Sequence, residues 1–240
     1  MRWVVSSYII TTAMNVSSLI YSVAYLTGIA VFAWMARRRN VLTHGMFAIM
    51  AAGLVGGLLG ANLAQLATGQ DGKTVLGGVA GGYLAVILCK RKLGITRPTG
   101  DLFAVAWCAG EAVGRWGCFF GGCCYGTECR LPWAVWQHGA FRHPSQIYLS
   151  LACLVVLVIL LMFDRLHPPD NGLFFLQGLL YCLARFVVEF VREGPRAVAG
   201  MTAAQWACAA GFLFFGPKLA QLLQRHPCGL ASSVAPEPVN

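Results

Sequence analysis

Apolar stretches recur along this chain at 19–36, 45–66, 75–89, 102–113, 147–163, 172–191 and 203–223, and several approach the ~20 residues a helix needs to cross a bilayer. Of the 240 residues 58% are hydrophobic and 11% charged, where a soluble domain carries about a quarter charged residues. The chain therefore reads as an all-α membrane protein. We expect one seven-transmembrane-helix bundle over residues 1–226, and a disordered tail over 227–240, which holds three prolines and two serines. The run at 102–113 is short, so it is expected to continue through Gly117 or lie tilted. Gly53, Gly56, Gly57 and Gly60, with Gly77, Gly78, Gly81 and Gly82, have the spacing that lets helices approach closely.

Basic residues set the orientation. Arg37, Arg38 and Arg39 follow the first run, Lys90, Arg91, Lys92 and Arg97 the third, Arg165 the fifth and Arg225 the seventh. All fall on one side, which places the C-terminus in the cytoplasm and the N-terminus outside. The stretch 114–146 then forms a small periplasmic head. The segment from Val4 to Val16 is interrupted by Ser6, Ser7, Thr11, Thr12 and Asn15 and has no convincing cleavage site, which argues against a removed signal peptide. The net charge of +9 is accounted for by these loop ends and by anionic lipid. No motif joins it to nucleic acid.

Charges inside the runs cost ~2.5–3.5 kcal/mol each on insertion scales and usually line a cavity or grip a substrate. Tyr181, Arg185 and Glu189 recur at four-residue spacing, with Arg192 three further on, so they share one helix face. Glu111 and Arg115 repeat the pattern. An intrahelical ion pair that merely neutralises itself would stabilise little. Two such pairs with a tyrosine favour an anionic ligand held within the bilayer.

The head opens with Gly114-Arg115-Trp116-Gly117-Cys118-Phe119-Phe120-Gly121-Gly122-Cys123-Cys124-Tyr125-Gly126, whose glycines imply tight turns and exposed backbone. Trp116 and Tyr125 suit the membrane interface. Arg142-His143-Pro144-Ser145-Gln146-Ile147-Tyr148 precedes the fifth run. Pro144 suits a first helical turn, with Ser145 and Gln146 as polar caps. His143 reads equally as a capping or a titrating residue. Cys118, Cys123, Cys124 and Cys129 are symmetrically spaced, and in an oxidising compartment they are disulfide candidates, Cys123 and Cys124 bonding to Cys118 and Cys129. Metal binding through these and His138 or His143 is the lesser alternative, because the spacing is not a usual zinc pattern.

Together these blocks resemble the prolipoprotein diacylglyceryl transferase family. Gly114-Arg115-x-Gly117 and its continuation are similar to the family signature, and His143-Pro144-Ser145-Gln146 with Tyr148 to a second block. Tyr181-x3-Arg185-Phe186-x2-Glu189-Phe190-x-Arg192 resembles the late polar helix, and Tyr21-x3-Tyr25-Leu26-x-Gly28 the first span. The resemblance covers about residues 16 to 224. It implies transfer of a diacylglyceryl group from phosphatidylglycerol to the lipobox cysteine of a prolipoprotein at the outer face of the bacterial inner membrane, with no cofactor. Arg115 and Arg185 would then hold the phosphate, Glu111 and Glu189 orient them, Tyr21 and Tyr181 donate hydrogen bonds, and His143 titrate. Ser145, Gln146 and Arg192 would contact substrate.

The chain departs from that pattern at Ala80, where the family has His, at Cys118 for Asn, at Cys123 for Glu and at Leu149 for Glu. The anion-binding half is thus better kept than the acceptor half. Two alternatives follow: the same phospholipid donor with another acceptor, or a non-enzymatic cysteine-rich membrane protein that binds metal or thiols. The transferase readings expect Arg115 and Arg185 to converge at a lipid-sized cavity. The third expects reduced outer cysteines close to both histidines.

Overall fold

The computed structural model describes residues 2–41, 44–68, 75–196 and 199–225. Among these are seven helices and one hairpin: α1 (Arg2–Arg38), α2 (His44–Thr68), α3 (Val75–Lys92), α4 (Gly100–Phe120), β1 (Val135–Gln137), β2 (Ala140–Arg142), α5 (Ser145–Asp164), α6 (Gly172–Glu189) and α7 (Ala203–Arg225). Five helices are long and apolar enough to cross a membrane, over Val16–Arg38, Gly45–Leu63, Ser145–Asp164, Gly172–Glu189 and Ala203–Arg225. The expected tail lies outside the described residues.

Three boundaries differ from expectation. The first helix starts at Arg2, because scattered Ser and Thr do not break a helix whose neighbours are apolar. α4 continues through Gly117, as expected of so short a run, and on to Phe120, so the loop expected to open at Gly114 begins at Gly121. Those glycines serve close packing: the Ser17 hydroxyl donates to the Gly117 carbonyl at 2.8 Å, and the Tyr21 ring lies 3.0 Å from where a Gly117 Cβ would sit. α6 ends at Glu189, with Val191 and Arg192 N–H groups turning back onto the Val188 and Glu189 carbonyls.

α4 is the central post, packed against α1, α5 and α6, while α2 pairs with α3 and α6 with α7. Phe32, Met35, Ile49, Val105, Leu160 and Leu173 form the main apolar core. At one end of it Arg39 reaches from beyond α1 to donate to Asp101 at 2.8 Å and Asp164 at 2.7 Å. Asp101 also accepts the Asn171 and Phe174 N–H groups at 3.1 and 3.0 Å, satisfying the open start of α6. This network ties four helices and was not read from the sequence.

The glycine-rich faces of α2 and α3 meet backbone to backbone. A Cβ on Gly60 would lie 2.3 Å from the Gly77 carbonyl oxygen and 2.8 Å from the Gly81 Cα, whereas one on Gly57 would meet only the Gly78 carbonyl at 3.4 Å. Gly60→Ala is therefore expected to destabilise the pair by about 1–3 kcal/mol, the range for overpacking. Gly57→Ala should be neutral or slightly stabilising, because Ala favours helix. Thermal unfolding of the two variants in detergent checks the contrast, and equal melting temperatures would refute the close contact.

Candidate functional site

Helical spacing brings the charged residues into two pairs that face each other across α4 and α6. On α4, Arg115 Nε donates to Glu111 Oε1 at 2.8 Å, with Nη2 on the same oxygen. From α6, the Tyr181 hydroxyl donates to that carboxylate oxygen at 3.1 Å, and the Tyr181 ring stands edge-on to Trp107. Arg115 is only 9% exposed.

The second pair is organised by Glu189, 3% exposed. Arg185 lies 2.7 Å from Glu189 Oε2, and Arg192 3.3 Å from Oε1. The Thr202 hydroxyl, just before α7, donates to Oε1 at 3.1 Å. Arg115, Tyr181, Glu189 and Arg192 all lie within electrostatic reach of Arg185. Glu111, Arg115, Tyr181, Arg185, Glu189 and Arg192 therefore form one cluster, with Arg115 and Glu189 buried and the others half-buried; the spacing accounts for the shared face on each helix, and the packing of α4 on α6 for their meeting. Thr202 had no sequence signal, since it lies outside every motif.

Residues 125–128 place Arg192. This extended stretch is held on one side by His143, whose N–H donates to the Thr127 carbonyl at 3.0 Å and whose carbonyl accepts from Gly126 at 3.1 Å. On the other side the Thr127 N–H reaches the Val191 carbonyl at 2.9 Å, and the Glu193 N–H the Tyr125 carbonyl at 3.1 Å. Gly126 is squeezed between them: a Cβ would meet the His143 and Val191 carbonyl oxygens at 2.4 and 2.7 Å.

The remaining expected residues stand elsewhere. The His143 ring contacts the Tyr148 hydroxyl at 3.3 Å, to which Trp133 Nε1 also donates at 2.7 Å. Among the described residues the ring has no hydrogen bond to the arginine cluster. Pro144, not Ser145, occupies the cap of α5. Ser145 and Gln146 instead fasten the head loop, donating to the Cys124 and Cys123 carbonyls at 2.7 Å each. The Tyr21 hydroxyl donates to Cys118 Sγ at 3.1 Å. Ala80 is exposed on α3. An open cleft of about 510 Å³ in the head is lined by Glu128, Cys129, Leu131 and Phe141 among others, and by none of the clustered arginines.

All four head cysteines are free thiols. Cys118, Cys123 and Cys124 have their sulfur atoms within 4.8 Å of one another. The extended stretch after Cys124 carries Cys129 out of this group. Neither His138 nor His143 joins the thiols: His138 Nε2 donates to the Gly122 carbonyl at 2.6 Å and its ring stacks on Tyr125. Hydrogen bonds from Cys118 and Cys123, with Arg192 behind them, hold the Cys124 thiol well below the ordinary range, while its hydrogen bonds to Cys118 and Cys124 push Cys123 well above it.

A profile described as prolipoprotein diacylglyceryl transferase matches residues 7–216. The chain belongs to this family. It is 28% identical over 188 residues to a protein of Clostridium tetani, an alignment covering 69% of this chain and 76% of that one. It is 27% identical to one of Paenarthrobacter aurescens, covering 80% and 74%, and 35% identical to one of Frankia alni, covering 66% and 44%. All three are named phosphatidylglycerol–prolipoprotein diacylglyceryl transferase, so this is a family of transferases. Against the Frankia alni relative, and similarly one from Campylobacter lari at 54%, the chain spans only about half of the relative's length.

The cluster's dependence on Glu189 is open to test. Glu189→Ala would leave the half-buried Arg185 and Arg192 without their counter-charge and is expected to cost up to about 3 kcal/mol, the lower end of the range for a broken buried pair. A fall in the melting temperature of the detergent-solubilised protein, smaller for Glu189→Gln, is the expected readout. An unchanged melting temperature would show that the pairs carry no folding energy.

Proposed function

We propose that this chain transfers a diacylglyceryl group from phosphatidylglycerol to a thiol, that of the lipobox cysteine in a prolipoprotein. The observation that carries this reading is the charge of the cluster. Arg115, Arg185 and Arg192 are opposed by Glu111 and Glu189, which leaves one net positive charge for a phosphodiester carrying one negative charge. Each guanidinium has five N–H donors, and the carboxylates engage only part of them. The arginines thus keep donors for phosphate oxygens.

The chemistry suits such a site. The thiol gives up its proton, its sulfur attacks the glycerol carbon bearing the phosphate ester, a C–S bond forms and the C–O bond breaks. Glycerol phosphate leaves as a monoester, so negative charge on the phosphate grows along the reaction. Arginines fixed beforehand by Glu111, Glu189 and Tyr181 stabilise that growing charge more than the starting diester, which is what accelerates a reaction. Nearby cations also favour the thiolate over the thiol.

In this reading the seven helices cross the inner membrane as a single unit, 1–226, with the head outside and the C-terminus in the cytoplasm. The distribution of Lys and Arg supports that orientation. A second reading keeps the donor and changes the acceptor, favoured by Ala80 at the place where the family has His.

Two experiments test these proposals. Purified protein incubated with phosphatidylglycerol and a lipobox peptide should yield a diacylglyceryl peptide by mass, falling about 10²–10³-fold in Arg115→Ala or Arg185→Ala. Arg185→Lys should not restore it, because lysine lacks the planar fork. No adduct from folded protein that still retains the phospholipid would move the reading to another acceptor. For topology, green fluorescent protein fused after Arg225 should fluoresce and alkaline phosphatase there should be inactive; the reverse would invert the orientation.

A further inference from the structure

The thiol group at the end of α4 is built rather than incidental. Cys118 lies on the last turn of α4, and the Cys123 N–H returns to the Cys118 carbonyl at 3.1 Å. Gly122, at φ 66°, and Cys124, at φ 60°, turn the chain back through the left-handed region. For a cysteine that conformation costs roughly 1–2 kcal/mol, so something must hold it. Ser145 and Gln146, 2% and 1% exposed, do so through their hydrogen bonds to the Cys124 and Cys123 carbonyls. The start of α5 thereby fixes the backbone of Cys123 and Cys124, and α4 that of Cys118.

We propose that Cys118, Cys123 and Cys124 form a three-thiolate site for a thiophilic closed-shell cation, Zn²⁺ or Cu⁺. A metal–sulfur distance of ~2.3 Å in tetrahedral geometry sets the sulfurs about 3.8 Å apart. The three already contact one another pairwise, and all lie within 4.8 Å, so small side-chain rotations suffice. Loading exchanges three S–H protons, released to solvent, for three metal–sulfur bonds, with no change in oxidation state. Cys123 is exposed, which leaves a fourth position for water.

The surroundings suit thiolate ligands. The Tyr21 hydroxyl donates to Cys118 Sγ, and Arg192 hydrogen-bonds to the Cys124 thiol. Such outer donors orient sulfur ligands and balance their excess negative charge. Three thiolates on Zn²⁺ carry a net charge of −1, which Arg192 offsets. The assignment does not require the transferase reading, although the two share Arg192.

The test uses the full chain, reduced, stripped of metal and held in detergent. Zn²⁺, and separately Cu⁺ under anaerobic conditions, is added, and metal retained after desalting is measured by elemental analysis. Cd²⁺ provides the thiolate charge-transfer absorption. One equivalent retained by the wild type and by Cys129→Ser, with affinity reduced about 10–100-fold or more in Cys118→Ser and Cys124→Ser, is the expected result. No stoichiometric retention of either ion by folded, reduced wild type would overturn the site, and so would retention that survives both substitutions. Because the wild type decides the first point, misfolding of a variant cannot rescue the proposal.

Discussion

A guanidinium buried among membrane helices must have a carboxylate within reach, and that requirement organises this molecule. Two arginines of the cluster are matched one turn away, Arg115 by Glu111 and Arg185 by Glu189, and the third, Arg192, shares Glu189. Isolated, each pair would be a self-neutralised patch with little energetic consequence. They become one cluster because packing of α4 against α6 sets them face to face and Tyr181 bridges from one helix to the carboxylate of the other. Glu189 extends the arrangement to Arg192 and Thr202, joining the end of α6 to the start of α7.

The same constraint appears at the opposite end of the core, with a different outcome. Arg39 is shared between Asp101 and Asp164, and Asp101 spends its remaining acceptor capacity on the N–H groups that open α6. Charge there is balanced: the carboxylates match Arg39 and its neighbour Arg38. In the α4–α6 cluster one cation is left over. That difference separates a network that binds helices together from one with charge to offer a ligand.

Much of this was legible because it depends on local periodicity. Tyr181, Arg185 and Glu189 share a face at four-residue spacing in any helix, and so do Glu111 and Arg115. The glycine pairing of α2 and α3 was likewise visible as repeated small residues. What was not legible depends on contacts distant in the chain. Thr202 meets Glu189, and Asp101 meets Arg39 and Asn171, only once helices far apart in sequence are docked. Ser145 and Gln146 looked like caps or substrate contacts because their position before a helix invites it; their carbonyl partners, Cys123 and Cys124, lie over twenty residues earlier. The cysteine spacing is a further case: its symmetry suggested two bridges, whereas the left-handed turn at Cys124 gathers three sulfurs and the segment after it carries Cys129 away.

Arg192 is where the two clusters meet, and its position explains why the head is built as it is. The stretch 125–128 pairs with both His143 and the residues after α6, with Gly126 opposite Arg192, so the thiol turn and the arginine are fixed to one backbone frame. Arg192 therefore serves Glu189 on one side and Cys124 on the other. Its charge is counted in the surplus that favours an anionic headgroup, and it also offsets any negative charge on the sulfurs. A change in the protonation or metal loading of the thiols would alter how much of that surplus remains. The head is in this sense electrically continuous with the membrane-embedded arginines, through Arg192 beside Cys124 and through Arg115, which lies within electrostatic reach of Cys118.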